Sequence, residues 1–269
     1  MSQATEALGL GDDTIALLVT GDDLGLCHAA NTAIFSGLQQ GALSTASLLV
    51  PAPWAREAIV RYHGEPIAVE LSATAEHLLY RWGPITSAPS LHGGDGGFAS
   101  TVADLLDHAD TDDVRREFRA QIERAVVWGF DVCALVVHQD AALLRPEYFD
   151  VVLDLAVEFD LPLRLSERSD HDLGFPATTL AAEEGICSPD RIVRCGQDDD
   201  LADLIASLEF GLTELILRPA EDTGELRALA EDAASRVADY GRLTHLASLE
   251  GLSVVSYRDL RNGQRAARD

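Results

Sequence analysis

The sequence contains no lysine, and all 20 of its basic residues are arginine. Pyridoxal-phosphate enzymes, other Schiff-base enzymes, Walker-A nucleotidases and lysyl-adenylate ligases each need a lysine amine. The absence of lysine therefore excludes these classes of enzyme.

Basic residues of any kind are scarce beside acidic ones. The chain has 45 Asp and Glu against 20 Arg, which gives a formal net charge of −25. Nucleic acids and anionic membranes are bound through clustered Lys and Arg, and no window reaches the roughly 18 uninterrupted apolar residues of a membrane span. We therefore expect no nucleic-acid or membrane partner, and a substrate that is neutral, cationic or held through a metal ion.

Cysteine is also sparse, with four residues and no CxxC pair. This usage is typical of reduced thiols in a cytoplasmic protein. Residues 1–13 lack both a basic region and a long apolar run, which predicts a flexible polar arm rather than a signal peptide. We therefore expect a cytoplasmic protein whose residues 14–269 form a single domain.

Short apolar runs alternate with amphipathic segments along the chain, which is typical of parallel β/α units. The order favours a TIM-like (β/α) barrel, complete or lacking a strand, over a doubly wound sheet. The predicted strands are 15–20, 45–50, 67–71, 133–138, 161–165, 191–194, 214–217 and 253–256. The predicted helices are 29–40, 52–62, 112–128, 147–159, 199–208 and 223–240.

A long segment rich in Gly and Pro, residues 72–99, interrupts this alternation. Long loops in compact domains often carry function or cover a site. Trp82 in this segment is a candidate for stacking on a sugar ring, although it could equally anchor the loop.

Polar residues follow several of the predicted strands, at the end where barrel enzymes place their sites. Carboxylates, an imidazole and two guanidinium groups are therefore expected at one rim. The residues concerned are Asp22, Asp23, Glu70, His138, Asp140, Arg164 and Arg218.

The adjacent residues Asp22 and Asp23 cannot point the same way on an extended segment, so we expect two roles. Asp23, Glu70 and His138 would bind a divalent cation, and Asp22 would act as base on the water bound to it. Such a donor set suits Mg, Mn, Fe or Zn without choosing among them. The alternatives are that the Asp pair is a turn or helix cap and that His138 is an ordinary rim residue.

The motifs have a recognisable order. Six motifs occur in the order LLVTGDDLGLCHAANTAIFSGLQQGALSTASLLV, IAVEL, PSLHGGDGGF, ALVVHQDAALL, ELILRP and VVSYRDL. In this order the chain resembles the YdjC-like, or ChbG/HpnK, carbohydrate deacetylases. The family counterparts of the first five motifs are, in the same order, an ADDFG-type strand end, VGLHL, SLVDEDGRF, HLDSHHHVHLL and ELMCHP. The resemblance covers nearly the whole chain from Ile15 to Leu260.

The resemblance implies a metal-dependent hydrolase with a TIM-like barrel, similar to polysaccharide deacetylases, that removes acetyl groups from N-acetylated sugars. It implies that Asp22 is the catalytic base and that Asp23 and His138 are metal ligands. It also implies a carbohydrate substrate, a role in carbohydrate metabolism and a homodimer.

The sequence departs from the family pattern at several positions. Glu70 stands where the family has its second histidine ligand, and Arg218 stands where it has the histidine of the CHP motif. Val136 replaces an aspartate, and Asp140 and Ala142 replace later histidines.

These departures have chemical consequences. A carboxylate at Glu70 lowers the effective charge of a bound metal, so its water becomes a weaker acid. The guanidinium of Arg218 could stabilise an oxyanion, but a guanidinium keeps its proton and cannot act as a general acid near neutral pH. Alternatively, Arg218 pairs with Glu70 and leaves the cavity without a metal.

Three hypotheses follow. The first is an amide-deacetylase type of hydrolase acting on C–N bonds, with Asp22 and Arg218 catalytic, Mg, Zn or Mn bound at Asp23, Glu70 and His138, and Arg164, Asp140 and Trp82 contacting substrate. The second is a weak or inactive family member that binds a sugar-like molecule and has lost the metal. The third is another hydrolytic or lyase reaction on the same barrel.

Overall fold

Seven parallel strands form the central sheet of the computed structural model, which describes residues 2–77, 79–248 and 252–268. The strands are β1 (Ile15–Leu24), β2 (Thr45–Leu48), β3 (Ile67–Leu71), β4 (Val132–Val137), β5 (Arg191–Arg194), β6 (Gly211–Leu217) and β7 (Ser253–Val255). Most of them are apolar and buried, as expected for a parallel sheet covered on both faces.

The sheet is centred on β1 and has the order β4-β3-β2-β1-β6-β5. The first half of β1 also pairs with β7, at Ala16 to Leu18, whereas β2 pairs with β1 from Thr20 onward. An irregularity in the register between Gly21 and Leu24 bends the end of β1. This bend lies where the two adjacent aspartates occur.

The sheet curls into a half-barrel, and within the described ranges it does not close. The predicted strand 161–165 contributes only an isolated bridge between Leu163 and Leu135 of β4, and the Leu163 amide donates to Cys187 O. Pro162 lacks the backbone N–H that would donate a hydrogen bond to a neighbouring strand. The prediction of an α/β fold is confirmed. Of the two forms expected for the TIM-like barrel, complete or lacking a strand, the complete form is wrong, because the described sheet is a curled half-barrel.

Twelve α-helices flank the sheet in the described part of the chain. They are α1 (Gln3–Ala7), α2 (His28–Gln39), α3 (Ala55–Arg61), α4 (Val102–His108), α5 (Thr111–Val127), α6 (Pro146–Phe159), α7 (Glu167–Leu173), α8 (Ala177–Glu183), α9 (Leu201–Ala206), α10 (Gly224–Leu229), α11 (Ala233–Leu246) and α12 (Tyr257–Ala266). Short 3-10 segments cover Pro89–Leu91 and His138–Leu143. None of the described helices is both long and apolar enough to cross a membrane.

The structure has four helices where none was predicted, α4, α7, α8 and α12, and two further regions differ from the predicted elements. The helix predicted over 223–240 is two helices, because Ala230 adopts an extended conformation between α10 and α11. Residues 3–7 of the predicted flexible arm form α1, in which Ala4 and Thr5 are buried. That part of the arm packs against α12 and β6, and Gly263 of α12 allows the close approach of Ala7.

Candidate active site

Asp22 and Asp23 lie at the carboxyl end of β1 and have different neighbours, as the alternation of side chains predicts. Asp22 accepts a hydrogen bond from Ser47 Oγ at 2.8 Å and a bidentate pair from Arg164 at 2.8 and 2.9 Å. Asp23 instead pairs with Arg236 at 2.7 Å. Its φ of 68° is in the left-handed region and redirects its side chain.

Asp23, Glu70 and His138 come together from β1, β3 and the end of β4, and we call these three residues the ligand cluster. One donor atom from each lies within 4.8 Å of the others. His138 Nδ1 is 2.7 Å from Glu70 Oε1 and 3.9 Å from Asp23 Oδ1. The Oε2 atom of Glu70 accepts from the Asp23 amide and lies 2.7 Å from Ser47 Oγ, whose single hydroxyl proton is shared between Glu70 and Asp22. The buried Glu70 carboxylate therefore has the partners that its burial requires.

The second ring nitrogen of His138 contacts Glu76, a residue that the sequence reasoning missed. The Nε2 atom of His138 lies 3.1 Å from Glu76 Oε2. Thr74 Oγ1 donates to Gln139 Oε1 at 3.0 Å, which ties the loop after β3 to the turn after β4. The only signal in the sequence was that Glu76 lies in the long segment we expected near the site.

The pKa values of the cluster reflect burial and close charges. Burial alone would raise the pKa of Asp23, but the charges of Arg236 and His138 lower it to about 2. Burial and the nearby Asp23 carboxylate raise the pKa of Glu70. Burial alone would lower the pKa of His138, yet hydrogen bonds to Glu70 and Glu76 raise it well above its ordinary value.

Arg164, predicted to contact substrate, is part of a buried ion-pair network under Asp22. Its guanidinium also contacts Glu214, at 2.6 Å for the shortest pair of atoms. Glu214 accepts in addition from Thr20 Oγ1 at 2.7 Å and Tyr257 Oη at 2.6 Å. All three side-chain nitrogens of Arg164 pair with carboxylates of the protein and hold Asp22 in place, and its contact with substrate remains a prediction.

Arg236 of α11 is the second functional residue that the sequence reasoning missed. Its side chain is only 2% exposed and bridges Asp23 to Asp232, which accepts from Arg236 Nε at 2.8 Å. Its position in a helix gave no indication of which strand end it would reach. Contacts of this kind depend on tertiary packing.

Arg218 lies after β6 and is half exposed. Its Nη1 atom is 2.9 Å from Asp232 Oδ2, and its backbone amide donates to Asp239 at 2.8 Å. The alternative in which Arg218 pairs with Glu70 is therefore wrong, because Asp232 provides a closer carboxylate on α11's side of the cavity. Arg218 remains available at the cavity wall.

The other two predicted substrate contacts have different environments. Asp140 pairs with Arg194 at 3.2 Å and sits in a turn whose φ of 53° is left-handed. Trp82 is 4% exposed, its Nε1 donates to Ser72 Oγ, and its ring lies edge-on to His138 at 6.1 Å. Packing in the core covers most of the Trp82 ring, so stacking on a sugar remains a prediction that would require the ring to become exposed.

A cavity of about 220 Å³, the cluster cavity, joins these groups. Its wall includes Asp22, the ligand cluster, Glu76, Gln139, Arg164 and Arg218. The base candidate and the ligand candidates therefore line one cavity at the carboxyl ends of the strands.

The residues present fit a divalent cation. Two carboxylates and an imidazole form an oxygen-rich donor set, and Arg236 occupies only Oδ2 of Asp23, which leaves Oδ1 toward the cluster. Glu76 holds Nε2 of His138, so that Nδ1 is the nitrogen facing the two carboxylates. A carboxylate behind a ligating imidazole is the usual arrangement in metal sites.

The comparisons with known proteins identify the family. The family model described as "YdjC-like protein" matches residues 16–257. The chain belongs to the YdjC-like family. This confirms the resemblance from which the hydrolase prediction was drawn.

Two curated relatives carry the name carbohydrate deacetylase. The protein from Thermus thermophilus is 34% identical over 256 residues, covering 89% of this chain and 90% of its own. The protein from Thermoanaerobacter pseudethanolicus is 25% identical over 240 residues, covering 85% and 90%. These relatives bear out the expectation of an enzyme of the C–N hydrolase class.

A crystal structure from Enterococcus faecalis V583 shows the same fold. It is named as a proposed cellobiose-phosphate cleavage protein, has a TM-score of 0.76 at 20% identity, and covers 92% of this chain and 99% of its own. At this identity the likeness concerns the fold alone.

Proposed function

We propose that the protein is a metal-dependent hydrolase that removes an acetyl group from an N-acetylated sugar. The observation that carries the proposal is the placement of Asp22 beside the ligand cluster in one cavity. The deacetylase names of its relatives supply the substrate class.

Asp23, Glu70 and His138 would hold the cation. A divalent cation held there would lower the pKa of water and polarise an acyl oxygen. Mg, Zn and Mn all suit this donor set.

Asp22 is the residue we assign to proton transfer. Ser47 and the bidentate Arg164 pair fix its carboxylate at the cavity wall, so that it takes a proton from the attacking water. Arg218 stays charged near neutral pH, and His138 is held between two carboxylates. We therefore assign to Asp22 both the uptake of that proton and its return to the leaving nitrogen.

Arg218 would stabilise the negative charge that develops on the acyl oxygen. It is half exposed, it lines the cavity, and its single ion pair leaves other N–H groups to donate. Neither Arg164 nor Arg236 is as accessible, since both are buried in ion pairs.

A second function is favoured by one observation, the ion pair between Asp23 and Arg236. The buried guanidinium supplies positive charge at a ligand carboxylate, so the cavity is partly neutralised without a cation. In that case the protein is a weak or inactive family member that binds a sugar-like molecule without metal catalysis.

Metal titration of the chelator-treated protein separates the two functions. Calorimetry with Mg, Mn and Zn and an assay for acetate released from N-acetylglucosamine would be run on the wild type and on Asp22→Asn. If the protein is the proposed hydrolase, we expect metal uptake and metal-dependent acetate release by the wild type. We also expect kcat to fall by about 100-fold or more in Asp22→Asn. Absence of metal uptake at saturating concentrations would favour the binding function.

The proposal includes a small-molecule carbohydrate as partner. A homodimer and a cytoplasmic location remain predictions, which sedimentation analysis and cell fractionation would test.

A further inference from the structure

A second cavity, of about 440 Å³, adjoins the cluster cavity. The two cavities share Glu76, Gln139 and Arg218 in their walls. Pockets for small organic ligands measure on the order of 300–1,000 Å³. The cluster cavity falls below that range and the second cavity falls within it, so the second cavity has room for the bulk of a molecule that reacts at the cluster.

The charges around the second cavity balance. Three guanidinium groups and three carboxylates line it, unlike the strongly acidic chain as a whole. They belong to Arg218, Arg227, Arg236, Glu76, Glu231 and Asp232. Fixed donors beside fixed acceptors suit a neutral polyhydroxyl ligand, because each hydroxyl both donates and accepts.

Two side chains of this wall have a buried nitrogen that lacks a hydrogen-bond partner among the described residues. These atoms are Arg236 Nη1 and His77 Nε2, the second of which lies 3.5 Å from Glu76 Oε1. Buried polar groups without a partner are rare and call for a water or ligand atom. Leu79, 89% exposed, adds an apolar surface at the same cavity, of the kind that packs on the C–H face of a sugar ring.

Arg236 connects the two cavities. It lines the second cavity and pairs with Asp23 of the ligand cluster and with Asp232, which in turn pairs with Arg218. A ligand that hydrogen-bonds at Arg236 or Arg218 is therefore placed directly beside the cluster.

We propose that the second cavity binds the sugar ring of an N-acetylated amino sugar, while the acetamide extends past Arg218 and Gln139 into the cluster cavity. This inference rests on the proposed function for its substrate class. It assigns ring binding to the loop after β3 and to α10 and the residues that precede α11.

Filling the second cavity tests the proposal without removing a charged group. Ala228, an exposed alanine of α10, lines the cavity, and Ala228→Trp would occupy part of it. Ala182 of α8 is the matched control, since it is an exposed helical alanine lining a cavity of about 470 Å³ at the opposite, amino-terminal ends of β5 and β6.

With N-acetylglucosamine as the probe, we expect Ala228→Trp to raise KM, or the dissociation constant measured by ligand-observed NMR, by about tenfold or more. Metal affinity should be unchanged, and Ala182→Trp should match the wild type. Leu79→Arg provides a second variant at the same cavity should Ala228→Trp fold poorly.

The outcomes separate this inference from the proposed function. Unchanged binding in both cavity variants, an effect of Ala182→Trp alone, or no binding of the sugar to the wild type would overturn the inference. Sugar binding that is lost in Ala228→Trp, in a protein that takes up no metal and releases no acetate, would support the inference and refute the hydrolase function.

Discussion

The Nε2 atom of His138 lies 3.1 Å from Oε2 of Glu76, on the opposite side of the ring from the Nδ1 atom that faces Glu70. The imidazole is thus held from both sides, and the ring of Trp82 lies edge-on to it. Each nitrogen has a defined partner, which orients the ring before any ligand binds.

We predict that Glu76→Ala weakens binding of a divalent cation by about 10- to 100-fold, because loss of a carboxylate behind a ligating imidazole releases its orientation. Glu76→Gln keeps a hydrogen-bond acceptor and should recover part of the affinity. Calorimetric titration of both variants measures this directly, independent of activity.

Glu209→Gln is a suitable control for the change in charge, since Glu209 is exposed and pairs with Arg191, whose strand β5 does not contribute to the ligand cluster. Its metal affinity should equal that of the wild type. Equal affinity in Glu76→Ala would show that Glu76 does not position His138.

The pH dependence of metal binding follows from the raised pKa of His138. Burial alone would lower that pKa, but hydrogen bonds to Glu70 and Glu76 raise it well above the ordinary value. The stability that protonated His138 gives the metal-free protein is therefore complete below about pH 6.5 and is lost as the pH rises through the raised pKa. A cation must displace that proton, so its binding strengthens over the same range.

We expect the rise in Tm caused by a saturating divalent cation to be larger at pH 8 than at pH 6. Calorimetry in buffers with different ionisation enthalpies should also show about one proton released per ion bound near neutral pH. A metal-induced Tm shift that is the same at both pH values, with no proton release, would argue against His138 as a ligand.

The sequence sufficed to predict which residues lie at the strand ends. The apolar runs located β1, β3 and β4, and the carboxyl ends of parallel strands necessarily meet at one edge, so Asp23, Glu70 and His138 were predicted as neighbours. That Glu70 needs a polar partner also followed from its burial in a strand.

The remainder of the site depends on packing between distant segments. Arg236 reaches Asp23 from a helix, and Glu76 reaches His138 from an irregular loop, so neither contact has a periodic signal in the sequence. The position of Trp82 in the long segment 72–99 likewise suggested that it lies near the site. It did not show that the core covers the ring. The open edge of the sheet near Leu163 reflects hydrogen bonding that hydrophobicity does not encode.

Arg164 should matter for stability far more than an exposed arginine does. Arg164→Met removes the only guanidinium that pairs with both Asp22 and Glu214 in the described structure and leaves two buried carboxylates uncompensated. We expect a loss of about 3–5 kcal/mol in the free energy of unfolding, measured by urea denaturation.

Arg119→Met is the matched control, because Arg119 forms an exposed pair with Glu158 on the helical surface. Removing that pair should cost less than about 1 kcal/mol. Similar losses in the two variants would mean that Arg164 is not the buried centre of the network under Asp22.

Gly263 in α12 should be needed for the packing of α1. A Cβ atom at this position would collide with the backbone carbonyl of Ala7. Backbone cannot give way as a flexible side chain can, so Gly263→Ala must displace α1 or strain α12, and we expect a loss of about 1–3 kcal/mol.

Gly241 in α11 offers the opposite case, since a Cβ there meets no atom within 4 Å. Gly241→Ala should stabilise the protein by about 0.5–1 kcal/mol, because alanine loses less backbone freedom than glycine when a helix forms. Urea denaturation of the two variants should therefore shift in opposite directions. If both glycine-to-alanine variants were stabilised, residues 3–7 would not pack on α12 in solution, and the N-terminal arm would be mobile as its polar sequence alone predicts.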